Sequence, residues 1–470
     1  MTNYRWAICS LLFFATTINY LDRQVLSLTW TDWIVPEFHW TNADYGNITS
    51  IFSLAYAASM LFAGRFVDWL DTKKGFLWAI AIWSVGACIH ALCGIGTSGI
   101  ITGKWLVGFH GAKEALSTVQ DVARITSVSV TLFIFSRIVL ALGEAGNFPA
   151  AIKATAEYFP KKARGFATSI FNAGATIGAL AAPLTIPVIA EAYGWEMSFI
   201  IIGALGFIWM GFWIFIYKKP QEHKRVNDLE LAYIQQDEAA VTAEDVEVKK
   251  IPLLKILSYK QTWAFAFGKF MTDGVWWFFL FWTPAYLKSV YQLDSLQSRP
   301  QIFTLYLITL LSIVGGWLPT YFVEKKNMNP YAGRMRAMLI FAFFPLLGLL
   351  AQLLGEYSVW IPVVIIGIAG AAHQAWSANI FSTVGDMFPK SAIATVTGIG
   401  GMAGGIGSFL INKGSGKLFD FATNTNMQFM GFQGIKAGYF IIFSICAVAY
   451  LIGWIVMKRL VPEYKPITDM

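Results

Sequence analysis

An apolar run that begins near Trp6 and continues to about Val35 carries an acid and a base side by side near its middle, Asp22 and Arg23. A run of that length spans a bilayer as a helix, because about 20 residues cover the hydrocarbon core. Each charged residue at mid-membrane costs roughly 2.5–3.5 kcal/mol on insertion scales. A chain that keeps both must face them toward protein or a wet cavity. Such a pair reads as a substrate or ion site, and the alternative is a buried ion pair that only fixes helix packing.

The composition says the same of the whole chain. Of its 470 residues 56% are hydrophobic and 13% are charged, and the mean hydropathy is +0.55. Soluble domains carry about 25% charged residues. The chain therefore reads as an integral membrane protein with the lipid bilayer as its surroundings, and its helix-length apolar runs make it helical rather than a barrel. The net charge of +7 is what basic cytoplasmic loops give, so no nucleic-acid partner is expected. Cys9, Cys88, Cys93 and Cys446 all fall in apolar runs and read as small buried hydrophobes. No cleavable signal peptide is expected, since the first apolar run is too long and no small-residue cleavage site follows it.

Twelve spans are predicted, at about 6–34, 43–70, 75–97, 126–149, 166–190, 195–217, 262–288, 301–323, 335–355, 358–385, 392–412 and 436–458. The fold class is thus an all-α membrane protein. Basic residues concentrate at the termini and in the even-numbered loops, among them Arg5, Lys73, Lys74, Lys161, Lys162, Lys218, Lys219, Lys325, Lys326, Arg334, Arg336, Lys458 and Arg459. The positive-inside rule then puts both termini in the cytoplasm. Two segments are not spans. Residues 97–125 form an extracytoplasmic insertion between the third and fourth helices, where the mixed-charge stretch Lys113 to Arg124 suits a short amphipathic helix. Residues 218–260 form a cytoplasmic linker between an N-terminal bundle (1–217) and a C-terminal bundle (261–470).

An internal repeat supports two halves. Phe159-Pro160-Lys161 aligns with Phe388-Pro389-Lys390, an offset of 229, and the same offset carries Asn172–Gly178 onto Gly401–Gly407. Gly64 to Lys74 falls on Gly316 to Lys326 with an offset of 252, which places about 23 extra residues where the 97–125 insertion lies. Two sets of six helices in parallel repeat resemble the major facilitator architecture, with the ligand site expected at midplane between the halves.

Polar groups within the spans are the candidate site. Arg137 and Glu144, seven apart, stand two turns from each other on one face of the fourth helix. An acid in such a place responds to burial and to a neighbouring arginine in opposite directions, which is a basis for coupling proton and anion binding. The alternative for Glu144 is a structural pair with Arg137. Asn172 lies in a small-residue run of the fifth helix and reads either as helix glue or as a hydroxyl reader. Tyr56 in the second helix is amphipathic and suits a cavity wall. In the seventh helix Lys269 and Asp273 are four apart and can pair, with Trp276 following as a ring suited to a sugar's apolar face. The tenth helix concentrates His373, Gln374, Ser377 and Asn379, which suit a polyhydroxylated ligand or interhelical glue. The loop after the second helix, Gly64-x-x-x-Asp68 followed by Lys73-Lys74, reads as an inner gating loop rather than a ligand contact. It matches the superfamily pattern but has Asp71 where glycine is usual.

The Tyr20-x-Asp22-Arg23 motif, Arg137 with Gly143-Glu144-Ala145 and Phe148-Pro149, and the following Phe159-Pro160 resemble the anion:cation symporter family of the major facilitator superfamily. Lys269 to Trp277 and His373 to Asn379, followed by Asp386-Met387-Phe388-Pro389, are most similar to its hexuronate branch. The resemblance implies that Arg23 binds the substrate carboxylate, that Asp22 and Glu144 couple protons, and that Tyr20, Tyr56, Arg137 and Asn172 lie near the sugar. It implies no cofactor, with protons as the coupling ion, and a location in the bacterial inner membrane.

The expected function is proton-coupled import of a sugar-acid anion by alternating access, with the monomer as the working unit. Two alternatives accompany it. One is another organic anion, such as an aldonate, a sialate or an aromatic acid, or coupling to sodium. The other is a membrane sensor that binds a sugar acid without transporting it. An enzyme is not expected, since no metal-ligand cluster and no nucleophile–base pair stands out.

Overall fold

The computed structural model describes residues 2–236 and 252–467, so the linker charges from Glu244 to Lys250 lie outside the described residues. The chain begins with α1 (Tyr4–Thr29), which runs on into a π-helical segment, Trp30–Ile34. Helix α2 (Asn42–Ala91) is two limbs joined at Asp71, whose φ of 68° and ψ of 157° are not helical. The second limb continues as α3 (Cys93–Thr102). Next come α4 (Gly108–Ser117), α5 (Val122–Glu144), α6 (Asn147–Tyr158), α7 (Lys161–Tyr193), α8 (Trp195–Ile216) and the short α9 (Asp228–Ile234). The rest comprises α10 (Lys260–Tyr291), α11 (Arg299–Thr309), α12 (Val314–Lys326), α13 (Pro330–Phe343), α14 (Gly348–Gly355), α15 (Trp360–Met387), α16 (Lys390–Asn424) and α17 (Ile435–Leu460).

Three spans are broken helices: α5 with α6, α11 with α12, and α13 with α14. With the two limbs of α2 counted separately, the helices make twelve spans, six in each half of the sequence. Eight of the described helices are long and apolar enough to cross a membrane by composition alone. Helices α1, α10 and α16 fall outside that set: α1 and α10 carry charges within their length and hold candidate site residues, whereas residues 392–412 of α16 carry no charge and are rich in glycine.

The insertion is helical, but its helix is not where the charge pattern put it. Helix α4 starts at Gly108 and ends at Ser117. Arg124 belongs instead to α5, because Asp121 caps that helix by accepting a hydrogen bond from the Arg124 backbone N–H at 3.0 Å. Among the described residues, β structure is confined to a two-residue antiparallel ladder, Gln428–Phe429 with Phe432–Gln433.

The chain forms two compact units, Met1–Leu26 with Phe62–Val248 and Ser27–Leu61 with Lys249–Met470. In the first, small residues bring helices to backbone contact. A Cβ on Gly143 would stand 2.3 Å from the Trp83 nitrogen, and one on Gly86 would stand 2.6 Å from that of Leu140, so α5 lies directly against the second limb of α2. Gly178 of α7 meets the Thr17 carbonyl of α1 in the same way, at 2.5 Å. Helix α9 is tied to the start of α1 through Glu230, which accepts from the Thr2 hydroxyl (2.6 Å), the backbone N–H groups of Tyr4 (3.0 Å) and Arg5 (3.1 Å), and the Arg5 guanidinium (3.0 Å).

In the second unit Gly407 of α16 meets the Phe270 carbonyl of α10, at 2.0 Å from an added Cβ. This is the counterpart of Gly178 on Thr17, made by the two glycine runs that align in the sequence. The N-terminal end of α2 is held by Asp420 of α16, which accepts from the backbone N–H groups of Asn42 (3.0 Å) and Ala43 (2.7 Å). A carboxylate there also answers the positive end of the helix dipole. Asp32 bonds Lys288 (2.9 Å) and the Ser295 backbone and hydroxyl (2.7 and 2.5 Å).

Candidate functional site

The charged residues of the first unit meet on two helices. On α1, Asn19 and Arg23 lie one turn apart on one face, with Tyr20 and Asp22 flanking. On α5, Glu144 is the last residue before the break at Ala145 and Gly146. Arg23 donates to a single oxygen of Glu144, Nε at 2.9 Å and Nη2 at 2.7 Å. The guanidinium also lies 5.0 Å from the centre of the Tyr20 ring, with Asn19 Oδ1 at 3.5 Å. The partner of Glu144 in this ion pair is thus Arg23, on another helix, rather than the arginine of its own helix. Arg137 is 1% exposed and within electrostatic reach of both Asp22 and Glu144.

Asp22 is 1% exposed, and neither of its carboxylate oxygens has a hydrogen bond among the described residues. The second oxygen of Glu144 and both side-chain polar atoms of the buried Asn147 are in the same position. Buried polar atoms in native proteins nearly always have partners, so such a cluster marks a place built for something other than stability. Asn172 on α7 is exposed and Tyr20 is half-buried.

The second unit holds a separate group on α10, α15 and α17. Lys269 pairs with Asp273 at 2.8 Å, and its ammonium stands 4.2 Å from the centre of the Phe381 ring. One turn on, Trp276 stacks on His373 with centroids 5.5 Å apart and planes 3° from parallel. His373 Nδ1 lies 2.8 Å from the Tyr450 hydroxyl. Tyr450 was not singled out from the sequence, since a tyrosine in a long apolar helix, here one of two with Tyr439, gives no distinguishing signal. Asn379 gives its amide to the carbonyls of Gly315 and Ala375, both at 2.8 Å, and so joins α15 to α12. Gln374 and Ser377 are half-buried. Tyr56 packs with Phe52 and Trp277, at centroid distances of 6.2 and 5.6 Å.

The loop between the limbs of α2 is tied down by ion pairs. Asp68 meets Lys153 at 2.9 Å, Asp71 meets Lys219 at 3.3 Å, and Lys73 donates to the Ile214 carbonyl at 2.8 Å. Lys74 is exposed, and a Cβ on Gly64 would meet nothing within 4 Å. The positive φ of Asp71 explains why the superfamily pattern prefers glycine at this position.

Comparison with known proteins agrees with this architecture. The chain is 27% identical over 472 residues to the hexuronate transporter of Escherichia coli (strain K12), covering 99% of this chain and 96% of that one. It is 25% identical over 335 residues to the galacturonate transporter of Dickeya chrysanthemi, covering 70% and 86%. Among solved structures it resembles a bacterial homolog to the human lysosomal transporter Spinster, in an inward-facing and occupied conformation. The TM-score is 0.69, with 16% identity and full coverage of both chains. The sequence matches the family description over residues 12–411, and the chain belongs to the Major Facilitator Superfamily.

Proposed function

We propose that this protein imports a sugar-acid anion, a hexuronate first of all, together with protons and by alternating access. The observation that carries the reading is the Arg23–Glu144 pair beside Asp22, a carboxylate with no hydrogen bond among the described residues. Its relatives among hexuronate and galacturonate transporters support the substrate class.

The chemistry follows from the pair. A guanidinium binds a carboxylate through two parallel N–H bonds. Glu144 occupies the Nε and Nη2 donors of Arg23, so an incoming carboxylate must compete with it. Proton uptake by Glu144 removes the competitor and frees the donors. By linkage, a bound anion favours the proton as much as the proton favours the anion. Asp22 adds a second acid, one whose carboxylate oxygens have no hydrogen bond among the described residues. Moving a carboxylate without hydrogen bonds through a dry state is costly, and a proton on Asp22 lowers that cost. Two protons per monoanion carry one net positive charge inward, assisted by roughly 2.3 kcal/mol per 100 mV. One proton gives an electroneutral cycle.

The test is uptake of labelled glucuronate into liposomes holding the purified protein, with an inward proton gradient and with or without an inside-negative potential. Uptake that rises with the gradient supports the reading, and its response to potential reports the net charge moved. Folded protein that takes up no hexuronate under any gradient rejects the substrate class and directs the assay to other organic anions and to sodium. Both termini are proposed to face the cytoplasm of a bacterial inner membrane.

A further inference from the structure

Among the described residues, Lys269–Asp273 is the one buried ion pair of the second unit that neither the coupling scheme nor the gating loop uses. Three observations give it a direction. First, the pair is lopsided. Asp273 Oδ2 is taken by Lys269 at 2.8 Å, and a Cβ on Gly404 would stand 2.2 Å from that same oxygen. Helix α16 therefore has to present a glycine there for the carboxylate to fit. Lys269 is enclosed, its side chain 6% exposed and its ammonium against the Phe381 ring, whereas the Asp273 side chain keeps 14% of its surface open. The accessible partner is the acid, and the base is shut in behind it.

Second, the register of α10 and α15 gives Asp273 polar company. Trp276 stacks on His373, and Lys269 meets Phe381. Two antiparallel helices joined at those two levels carry Asp273 to the level of Ser377, which is half-buried. Gln374 stands one turn beyond Ser377 on the same helix. Third, the repeat matches this group in register to the first unit's site. Gly178 on Thr17 and Gly407 on Phe270 are equivalent contacts, and matching Thr17 to Phe270 carries Tyr20 onto Asp273 and Arg23 onto Trp276.

We infer that Asp273 is a hydroxyl-reading carboxylate: its Oδ1 accepts hydrogen bonds from ligand hydroxyl groups, and Lys269 serves as its fixed counter-ion. This rests on the sugar-acid reading above and narrows it to polyhydroxylated anions. A carboxylate can only accept hydrogen bonds when ionised, so it selects donors, and the hydroxyls of a sugar are donors. It repels another carboxylate, so it turns the acid end of the ligand away from itself. The enclosed ammonium keeps the pair neutral without competing for the ligand. Trp276, one turn on, offers a ring face to the apolar side of a sugar.

The experiment pairs protein and ligand changes. Affinities for glucuronate and for its 2-, 3- and 4-deoxy analogues are measured on the detergent-purified wild type and on Asp273→Asn, by ligand-induced shift of the melting temperature. The wild type should lose about tenfold or more on removal of the hydroxyl that Asp273 reads, the range expected of a hydrogen bond to a charged group. Asp273→Asn should bind glucuronate that much more weakly and lose no more than about threefold further on removal of the same hydroxyl. If every analogue weakens by the same factor in both proteins, the pair is purely structural and the inference is overturned. If D273N is not monodisperse, the K269Q/D273N double variant, which leaves no charge unpaired, carries the same comparison. A wild type that binds no sugar acid overturns the reading of substrate class instead, and the inference with it.

Discussion

Arg23 spends two donors on one oxygen of Glu144, Oε2, while Oε1 of the same carboxylate has no hydrogen bond among the described residues. The pair is therefore not the two-on-two arrangement that an arginine and a carboxylate adopt when nothing else is asked of them. Glu144→Gln keeps the shape and removes the competition for Arg23. Substrate exchange across the liposome membrane should persist in this variant, while accumulation driven by a proton gradient is lost. Loss of both together would place Glu144 in ligand binding rather than in coupling.

Arg23→Lys keeps the charge but replaces a planar fork by a single ammonium. Affinity for the anion should fall about tenfold or more, the loss expected when a two-bond contact becomes one. An unchanged affinity would remove Arg23 from the site.

Asp22→Asn removes the carboxylate that the fold leaves without a hydrogen bond. The variant should melt at a higher temperature than the wild type by a few degrees, about 1 kcal/mol or more, and should fail to couple uptake to protons. Stability rising as function falls is the mark of a group kept for its chemistry. A destabilised variant would mean that Asp22 has a structural role.

Asp71 offers a test of backbone strain. Its φ of 68° suits glycine, and its bridge to Lys219 joins two half-exposed side chains. A bridge of that kind is worth less than about 1 kcal/mol, whereas a non-glycine residue in such a conformation costs about 1–3 kcal/mol. Asp71→Gly should therefore raise the melting temperature and Asp71→Ala should lower it, since alanine keeps the strain and loses the bridge. Equal effects would show that the bridge dominates.

Glu230 sets a pH dependence outside the membrane. Burial acts to raise its pKa. The bonds from Thr2, the Arg5 and Tyr4 backbone and the Arg5 guanidinium outweigh that and hold it below the ordinary glutamate value. A carboxylate with a lowered folded pKa contributes stability that is present above its unfolded pKa and lost as pH falls through the folded one. Glu230→Gln should cost about 1–3 kcal/mol at neutral pH, and the gap to the wild type should close as the pH falls below the ordinary glutamate range. A gap that stays constant with pH would assign the loss to packing.

Much of this molecule could be read from the residues. The twelve spans follow from apolar length, and Asp22, Arg23 and Glu144 stand out because charges in such runs are costly. What could not be read depends on side-chain direction and register. Spacing along α5 suggested Arg137 as the partner of Glu144, yet the pair forms with Arg23, because which arginine reaches an acid is set by how α1 and α5 pack. Asn379 suited a hydroxyl as well as a helix contact, and its two carbonyl partners at 2.8 Å became visible only once α12 was placed beside α15. The break between α5 and α6 falls at Ala145 and Gly146, where Gly143, Gly146 and Pro149 permit an interruption without dictating one, since membrane helices tolerate both residue types.

Helices α1 and α10 are the ones whose charges keep them from being plainly apolar, and that bears on how the chain is made. Arg23 and its partner Glu144 lie 121 residues apart in the sequence. A ribosome working at about 5–20 residues per second takes about 6–24 s to cover that interval. For that long α1 is synthesised without the acid that will neutralise it. The nascent chain must shelter α1, in the insertion channel or against α2 and α3, until α5 arrives. A charged pair split between distant helices thus asks something of the membrane-insertion machinery as well as of the finished protein.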